Sequence, residues 1–131
     1  MDEQLLSRQL PQSLEAEQAV LGSILIDSRC LPDVIGIVKA EDFYLQQNRE
    51  IYEAVYTMFN FSQTIDPVTV LEKMKELGLY KDNTRDYILQ LMDITPTAAN
   101  AVRYATIVRD KAMLRSLAHA STDISEMVYE Q

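Results

Sequence analysis

The stretch from Ala98 to the final residue, Gln131, constrains the fold most, because it contains neither glycine nor proline. These two residues are the least favourable in the interior of a helix, so the stretch predicts one long helix. A helix of about 30 residues is about 45 Å long. The remainder of a chain of 131 residues cannot cover that length, and part of the helix is expected to project from it.

The apolar residues of this stretch change sides halfway along it. At about 100° per residue, one side carries Ala101, Ala105, Val108 and Ala112. The later apolar positions lie nearly opposite, at the spacings of a coiled-coil seam, and we call them the ridge: Leu114, Leu117, Ser121, Ile124 and Val128. The first half is predicted to pack on the rest of the chain. The ridge is predicted to pair with another helix, from a following segment or a second chain; the alternative is a bent helix folded wholly onto its own globule.

Upstream of Ala98 the helical period recurs, and no window alternates apolar and polar residues as a strand would. Residues 47–61 place one apolar stripe at helical spacing: Ile51, Ala54, Val55, Met58 and Phe59. Shorter helices are predicted at 31–38 and 85–92. The fold class is therefore all-α, with a compact multi-helix head followed by a long C-terminal helix.

Start and stop signals support two more helices in the head. Ser13 is a plausible N-cap for a helix over 14–27, whose first turn holds Glu15 and Glu17, where the helix dipole favours acids. A second helix begins after Asp66, with Pro67 in its first position, and ends before Gly78.

Pro96 then blocks helix continuation, and Thr97 is predicted to cap the long helix. The predicted organisation is a flexible N-terminal tail over 1–12, the head over 13–97 and the long helix over 98–131. Because the ridge is unfinished at Gln131, we expect the chain to be part of a longer protein.

Composition limits the classes of function. The 47% hydrophobic and 24% charged content is that of a folded domain, and no apolar run approaches the roughly 20 residues that cross a bilayer. No secretory signal opens the chain. The single cysteine, Cys30, cannot form an internal disulfide and fits a reducing compartment. A cytoplasmic location with no membrane partner is expected.

The formal net charge of −8 argues against nucleic-acid binding over the general surface. A local exception is a basic stretch in the long helix, containing Arg103, Arg109, Lys111 and Arg115. A helical nucleic-acid-binding module that uses these four residues is the alternative function. Their helical angles spread around the helix, however, and a solvated basic face explains them equally well.

Signals for catalysis are weak. The three glycines are isolated, so neither a phosphate-binding loop nor a dinucleotide-binding turn is present. A small hydrolase that uses Cys30 or the only histidine, His119, is the least favoured hypothesis. No catalytic residue, cofactor or metal ligand is predicted in the chain, and it is not expected to be an enzyme.

Four blocks of sequence carry a family resemblance. They are PQSLEAEQAVLG at 11–22, EDFY at 41–44, IDPVTV at 65–70, and PTAAN at 96–100 followed by Tyr104-Ala105 and Ile107-Val108. In this order they resemble the N-terminal domain of DnaB-type bacterial replicative DNA helicases, across residues 11–115. Two departures are that the family often has His where Asn48 stands, and Gly-Gly where this chain has Asp82-Asn83-Thr84.

The resemblance implies an all-α head followed by a helical hairpin, of which this chain would hold the first arm only. In such helicases the N-terminal domains pair through their hairpins into a collar on a hexameric ring. The ATP- and Mg-dependent motor is a separate domain, so no cofactor is implied here. The implied function is a non-catalytic scaffold and docking domain in DNA replication.

The resemblance also implies partners. The collar is where DnaG-type primase docks and, in some lineages, where a helicase loader acts; direct contact with nucleic acid is not expected. Candidate primase contacts at matching family positions are Glu15, Tyr87, Ala118 and Ile124. Candidate self-association residues are the ridge positions Leu114, Leu117, Ser121, Ile124 and Val128. Ile124 stands in both sets.

Overall fold

The computed structural model describes residues 10–130. Over this range the chain is helical, with no strand, which confirms the all-α prediction. Two single 3-10 turns, Ser28–Cys30 and Ala40–Asp42, punctuate the described helices. These helices are α1 (Leu14–Ile26), α2 (Leu31–Ile35), α3 (Gln46–Asn60), α4 (Pro67–Glu76), α5 (Thr84–Asp93) and α6 (Ala101–Glu130).

The predicted caps form the expected bonds. The Ser13 hydroxyl accepts a hydrogen bond from the Ala16 amide at 3.2 Å. At the start of α4, the Asp66 carboxylate accepts from the Thr69 amide, and the Thr69 hydroxyl accepts from the Asp66 amide, each at 2.9 Å. Gly78 follows α4 with φ of +72°, a left-handed conformation that glycine adopts without steric cost.

The long helix starts later than predicted. The Thr97 hydroxyl accepts from the Ala99 amide at 3.1 Å, and the Ala101 amide donates to the Ala98 carbonyl at 3.2 Å. These bonds close a turn, so Thr97 caps that turn and α6 begins only at Ala101. Local side-chain bonding of this kind competes with helix formation.

Helix α1 is the centre of the head, and it packs against α3, α5 and the first half of α6. Its close approach to α5 is possible because Gly22 lacks a Cβ, which would meet Thr95 and lie 2.6 Å from the Leu91 carbonyl oxygen. The buried core combines aliphatic side chains from all the head helices with one aromatic pair, Phe43 and Tyr52, whose ring centroids are 5.0 Å apart.

The first half of α6 packs on the head as predicted, with Ala101, Ala105 and Val108 buried. The last buried residue is Arg115. We call residues 116–130 the rod; they extend about 22 Å beyond Arg115, and only Ala118 among them is half-buried. The alternative of a helix folded wholly onto its own globule is therefore wrong.

The predicted flexible tail falls mainly on residues 1–9, which lie outside the described range. Its last residues, 10–12, are described, and the Pro11 carbonyl accepts a hydrogen bond from Arg115 at 2.9 Å. Within 10–130, no helix is both long and apolar enough to cross a membrane.

Replacing Gly22 with alanine should destabilise the head. The new methyl would press on α5, and overpacking of this kind costs about 1–3 kcal/mol, more than the roughly 1 kcal/mol that alanine gains in helix propensity. Urea unfolding measures the change. Gly36→Ala is the control, since its Cβ would meet only the Asp33 carbonyl at 3.5 Å. Equal midpoints for the two variants would contradict the account.

Candidate docking surface

The ridge is exposed along the rod. Leu117 is 64% exposed, Ile124 62% and Val128 64%. Three further large apolar side chains nearby, Met113, Met127 and Tyr129, are also exposed. An extended apolar surface of this kind marks an interaction site more often than an ordinary solvated face.

Sequence reasoning missed the width of this surface. Met113 and Met127 lie a whole number of heptads apart, on the flank of the ridge. Their spacing was the available signal, and it broadens the strip that a neighbouring helix could cover. Methionine side chains are flexible and adapt to irregular partners.

Two of the candidate primase contacts lie on one side of the head. Glu15 is exposed and lines a groove of about 690 Å³ between α1, the α5–α6 connection and α6. Gln18 lines the same groove, and its amide donates to the Tyr87 hydroxyl at 3.4 Å. We call this the α1/α6 groove. The other two candidates, Ala118 and Ile124, lie on the rod and do not line it.

The same helix, α1, also carries a buried carboxylate. Glu17 is 1% exposed. Its carboxylate accepts from the backbone amides of Tyr44 at 2.7 Å and Leu45 at 3.3 Å, and from the Asn48 side-chain amide at 2.9 Å. Leu45 immediately precedes α3. Glu17 therefore caps the N-terminus of a helix other than its own, where the dipole also favours a negative charge.

The sequence predicted Glu17 only as a first-turn acid of its own helix. The available signal was its position, because Glu17 stands at helical spacing on the buried face of α1 with Val20, Leu21 and Ile24. A charged residue on an apolar face is rarely buried without partners. Its partners, at 44–48, are too distant in sequence to be found by spacing.

The polar contacts continue from Glu17 across the head. The Asn48 side-chain oxygen accepts from the Tyr87 hydroxyl, and that hydroxyl in turn accepts from Gln18. Burial is the main cause that raises the pKa of Tyr87, so its hydroxyl remains a proton donor at neutral pH. The network joins α1, α3 and α5, and of its members Gln18 also lines the α1/α6 groove.

Arg115, in α6, contacts the same segment of the head that Glu17 binds. Arg115 is 8% exposed, and its guanidinium donates to the Pro11 carbonyl at 2.9 Å and to the Asp42 carbonyl at 2.6 Å. It also lies over the Tyr44 ring, 5.5 Å from the centroid. Arg115 is therefore not part of an exposed basic surface, and the alternative nucleic-acid module loses one of its four residues.

The remaining basic residues of that alternative do not form one face. Arg103 and Arg109 are exposed, Lys111 is half-buried, and Arg109 lies 3.5 Å from the Asp110 carboxylate. No arrangement of these side chains in the described structure suggests a track for a phosphate backbone.

The candidate hydrolase residues gain no support from the structure. Cys30 is half-buried, and burial together with the nearby Asp27 raises the pKa of its thiol, the reverse of what activates a nucleophile. His119 is exposed on the rod. Within residues 10–130, no cluster of His, Cys, Asp and Glu side chains is arranged to hold a metal ion.

Replacing Glu17 with alanine should lower the free energy of unfolding by about 3 kcal/mol, because two backbone amides and the Asn48 side-chain amide lose their hydrogen-bond acceptor. Urea denaturation measures the loss. Glu15→Ala is the matched control: that side chain is exposed two residues away, and removing its interaction with the helix dipole should cost less than about 1 kcal/mol. Similar losses in both variants would show that the buried contacts of Glu17 contribute little.

Comparison with known proteins adds independent evidence. Residues 9–110 match the family described as DnaB-like helicase N terminal domain. The replicative DNA helicase DnaB of Leifsonia xyli subsp. xyli is 36% identical over 121 residues, which is 92% of this chain and 26% of that protein. The Geobacillus stearothermophilus DnaB is also 36% identical, over 98% of this chain and 29% of its own length. The chain thus spans about a quarter of these curated relatives.

Solved structures agree. The crystal structure of the N-terminal domain of DnaB helicase from Mycobacterium tuberculosis matches with a TM-score of 0.88 and 36% identity, covering 92% of this chain and 88% of that one. The corresponding domain from Helicobacter pylori, described with its interactions with primase, matches with a TM-score of 0.75 over 98% of this chain and 99% of that one. At 20% identity, the second match supports the fold alone.

Proposed function

Because this chain belongs to the DnaB-like helicase N-terminal domain family, we propose that it is the non-catalytic assembly and docking domain of a replicative DNA helicase in the cytoplasm. In this proposal it supports ring assembly by helix pairing and binds DnaG-type primase, with a helicase loader as a further partner. The ATP-driven motor belongs to the part of such helicases outside the quarter that this chain spans.

The observation that carries the proposal is the exposed ridge on the rod. Burying apolar surface contributes about 25 cal/mol per Å², so a helix laid along Leu117, Ile124 and Val128 would gain stability that the isolated chain lacks. The spacings of three and four residues suit a partner that is itself a helix. We therefore propose a hairpin helix of a neighbouring subunit as the partner.

The order of side chains along the ridge suits an antiparallel partner of the same kind. The ridge is nearly symmetric about Ser121, which is small and exposed. Antiparallel pairing centred there would place Leu114 of one copy against Val128 of the other, and Leu117 against Ile124. This pairing is isologous, as twofold dimers require.

Support for primase docking comes from the head. Glu15 and Gln18 line the α1/α6 groove with the apolar side chains of Ile94 and Ile107. The Helicobacter pylori relative is described with its interactions with primase. The groove offers apolar contact and one exposed carboxylate, so the proposed partner surface is apolar with a basic side chain at its rim.

Pairing through the ridge predicts weak association of the chain, as monomer and dimer rather than hexamer. Leu117→Asp should weaken dimerisation about tenfold or more, since each dimer would bury two added charges. Sedimentation velocity over a concentration series measures this. Thr122→Asp is the control, because Thr122 is exposed on the rod and is not a ridge position. A stable hexamer, or equal effects of the two substitutions, would contradict the proposal.

Docking on the head predicts co-elution of the chain with the C-terminal domain of primase from the same source. Glu15→Lys should weaken that binding about three- to tenfold, as changes to rim charges commonly do. Fluorescence anisotropy with labelled primase domain quantifies it. As the control, Glu53→Lys makes the same charge change at an exposed position of α3 outside the α1/α6 groove. Absence of wild-type binding, or equal losses, would contradict docking at Glu15.

A further inference from the structure

We infer that Arg115 is a positioning residue, which sets the direction in which the rod leaves the head and so the direction in which the ridge is presented. The inference rests on the proposed function only where it concerns binding, because in that proposal the ridge is the surface that a partner helix contacts. The direction itself is a property of the single chain.

The contacts of Arg115 join three separate parts of the chain. Pro11 precedes α1, Asp42 ends the second 3-10 turn, and Arg115 lies in α6. One guanidinium nitrogen bonds to each carbonyl, and the central carbon of the group lies over the Tyr44 ring. The fixed fork of a guanidinium suits two carbonyls and a ring in one geometry, whereas a lysine ammonium is a compact point charge on a flexible stem.

The segment that Arg115 holds is itself anchored. The carbonyl of Phe43, the next residue, accepts from the Arg49 side chain at 2.6 Å, and the Phe43 ring is buried. Glu17 binds the amides of the two residues that follow. Arg115 therefore ties α6 to a rigid part of the head.

The position of Arg115 along α6 means that a small movement at this contact produces a larger movement at the end of the rod. Val108 is the last buried apolar residue of the helix, and the side chains between it and Arg115 are half-buried, as at Lys111 and Ala112, or exposed. Arg115 is about 10 Å beyond Val108, and Glu130 is about 33 Å beyond it. If α6 rocks about Val108, a shift of about 1 Å at Arg115 becomes about 3 Å at the end of the rod.

Removing the side chain should loosen the rod without unfolding the head. The buried contacts of Ala101, Ala105 and Val108 remain. The two carbonyls would be left facing solvent at the edge of the head. We therefore expect a wider range of rod directions at an unchanged helix content.

Double electron–electron resonance on spin-labelled protein tests this directly. In a Cys30→Ser background, labels are introduced with Glu76→Cys on the head and Ser125→Cys on the rod, both at exposed positions. The labelled protein is diluted with unlabelled protein, so that only distances within one chain contribute. We expect one narrow distance distribution for the parent and at least a doubled width for Arg115→Ala.

Two further variants make the result specific. Arg103→Ala removes the same side chain from an exposed position of α6 and should leave the width unchanged. Arg115→Lys keeps the positive charge but not the two-pronged guanidinium, and should give a distance distribution of intermediate width. If Arg115→Ala does not fold, Arg115→Lys provides the test instead. Circular dichroism and urea unfolding verify that each variant retains the head.

The outcomes separate this inference from the proposed function. An unchanged width for Arg115→Ala, or a parental width for Arg115→Lys, would overturn the positioning role whatever the association state. Because the distances are measured within one chain, failure of the rods to pair would overturn the proposed function and leave this result standing. A widened distribution in Arg115→Ala, with Arg103→Ala unchanged, supports the inference.

Discussion

The structure depends on how the irregular segment between the second 3-10 turn and α3 satisfies its backbone. Buried amides and carbonyls need partners, and this segment has no helix of its own to supply them. Charged side chains from three helices supply them: Glu17 of α1 binds amides, while Arg49 of α3 and Arg115 of α6 bind carbonyls. This short segment is thus bound by α1, by α3 and by the long helix α6.

This arrangement explains how α6 can pack on the head in its first half and project into solvent in its second. The first half of α6 approaches the head through small residues, Ala101 and Ala105, and ends its apolar contact at Val108. Arg115 then closes the contact with polar bonds at the edge of the head, where an arginine stem packs and its charged end still finds oxygen partners. Beyond it, the rod carries its ridge into solvent, available to a neighbouring helix.

Only part of the candidate docking surface could be predicted from the sequence. The ridge followed from periodicity, because residues at intervals of three and four share one side of a helix whatever surrounds it, and the structure places its large apolar members in solvent. Glu15 and Tyr87 came from the family resemblance, which the family match confirms, while their roles as contacts remain predictions. The groove that lies between α1 and α6 was not foreseen, because it forms where helices distant in sequence meet.

The sequence by itself determined what depends on neighbouring residues: the all-helical class, the caps at Ser13 and Asp66, and the change of side along α6, since each arises within a few turns of chain. Even there, a local bond of Thr97 delayed the start of the long helix. Only the tertiary structure decided that Glu17 caps a different helix and that Arg115 is buried on carbonyls from two other segments. The reason is physical. Spacing along a helix can place a charged side chain on the buried face, but the groups that satisfy its charge are known only once the chain has brought distant segments together.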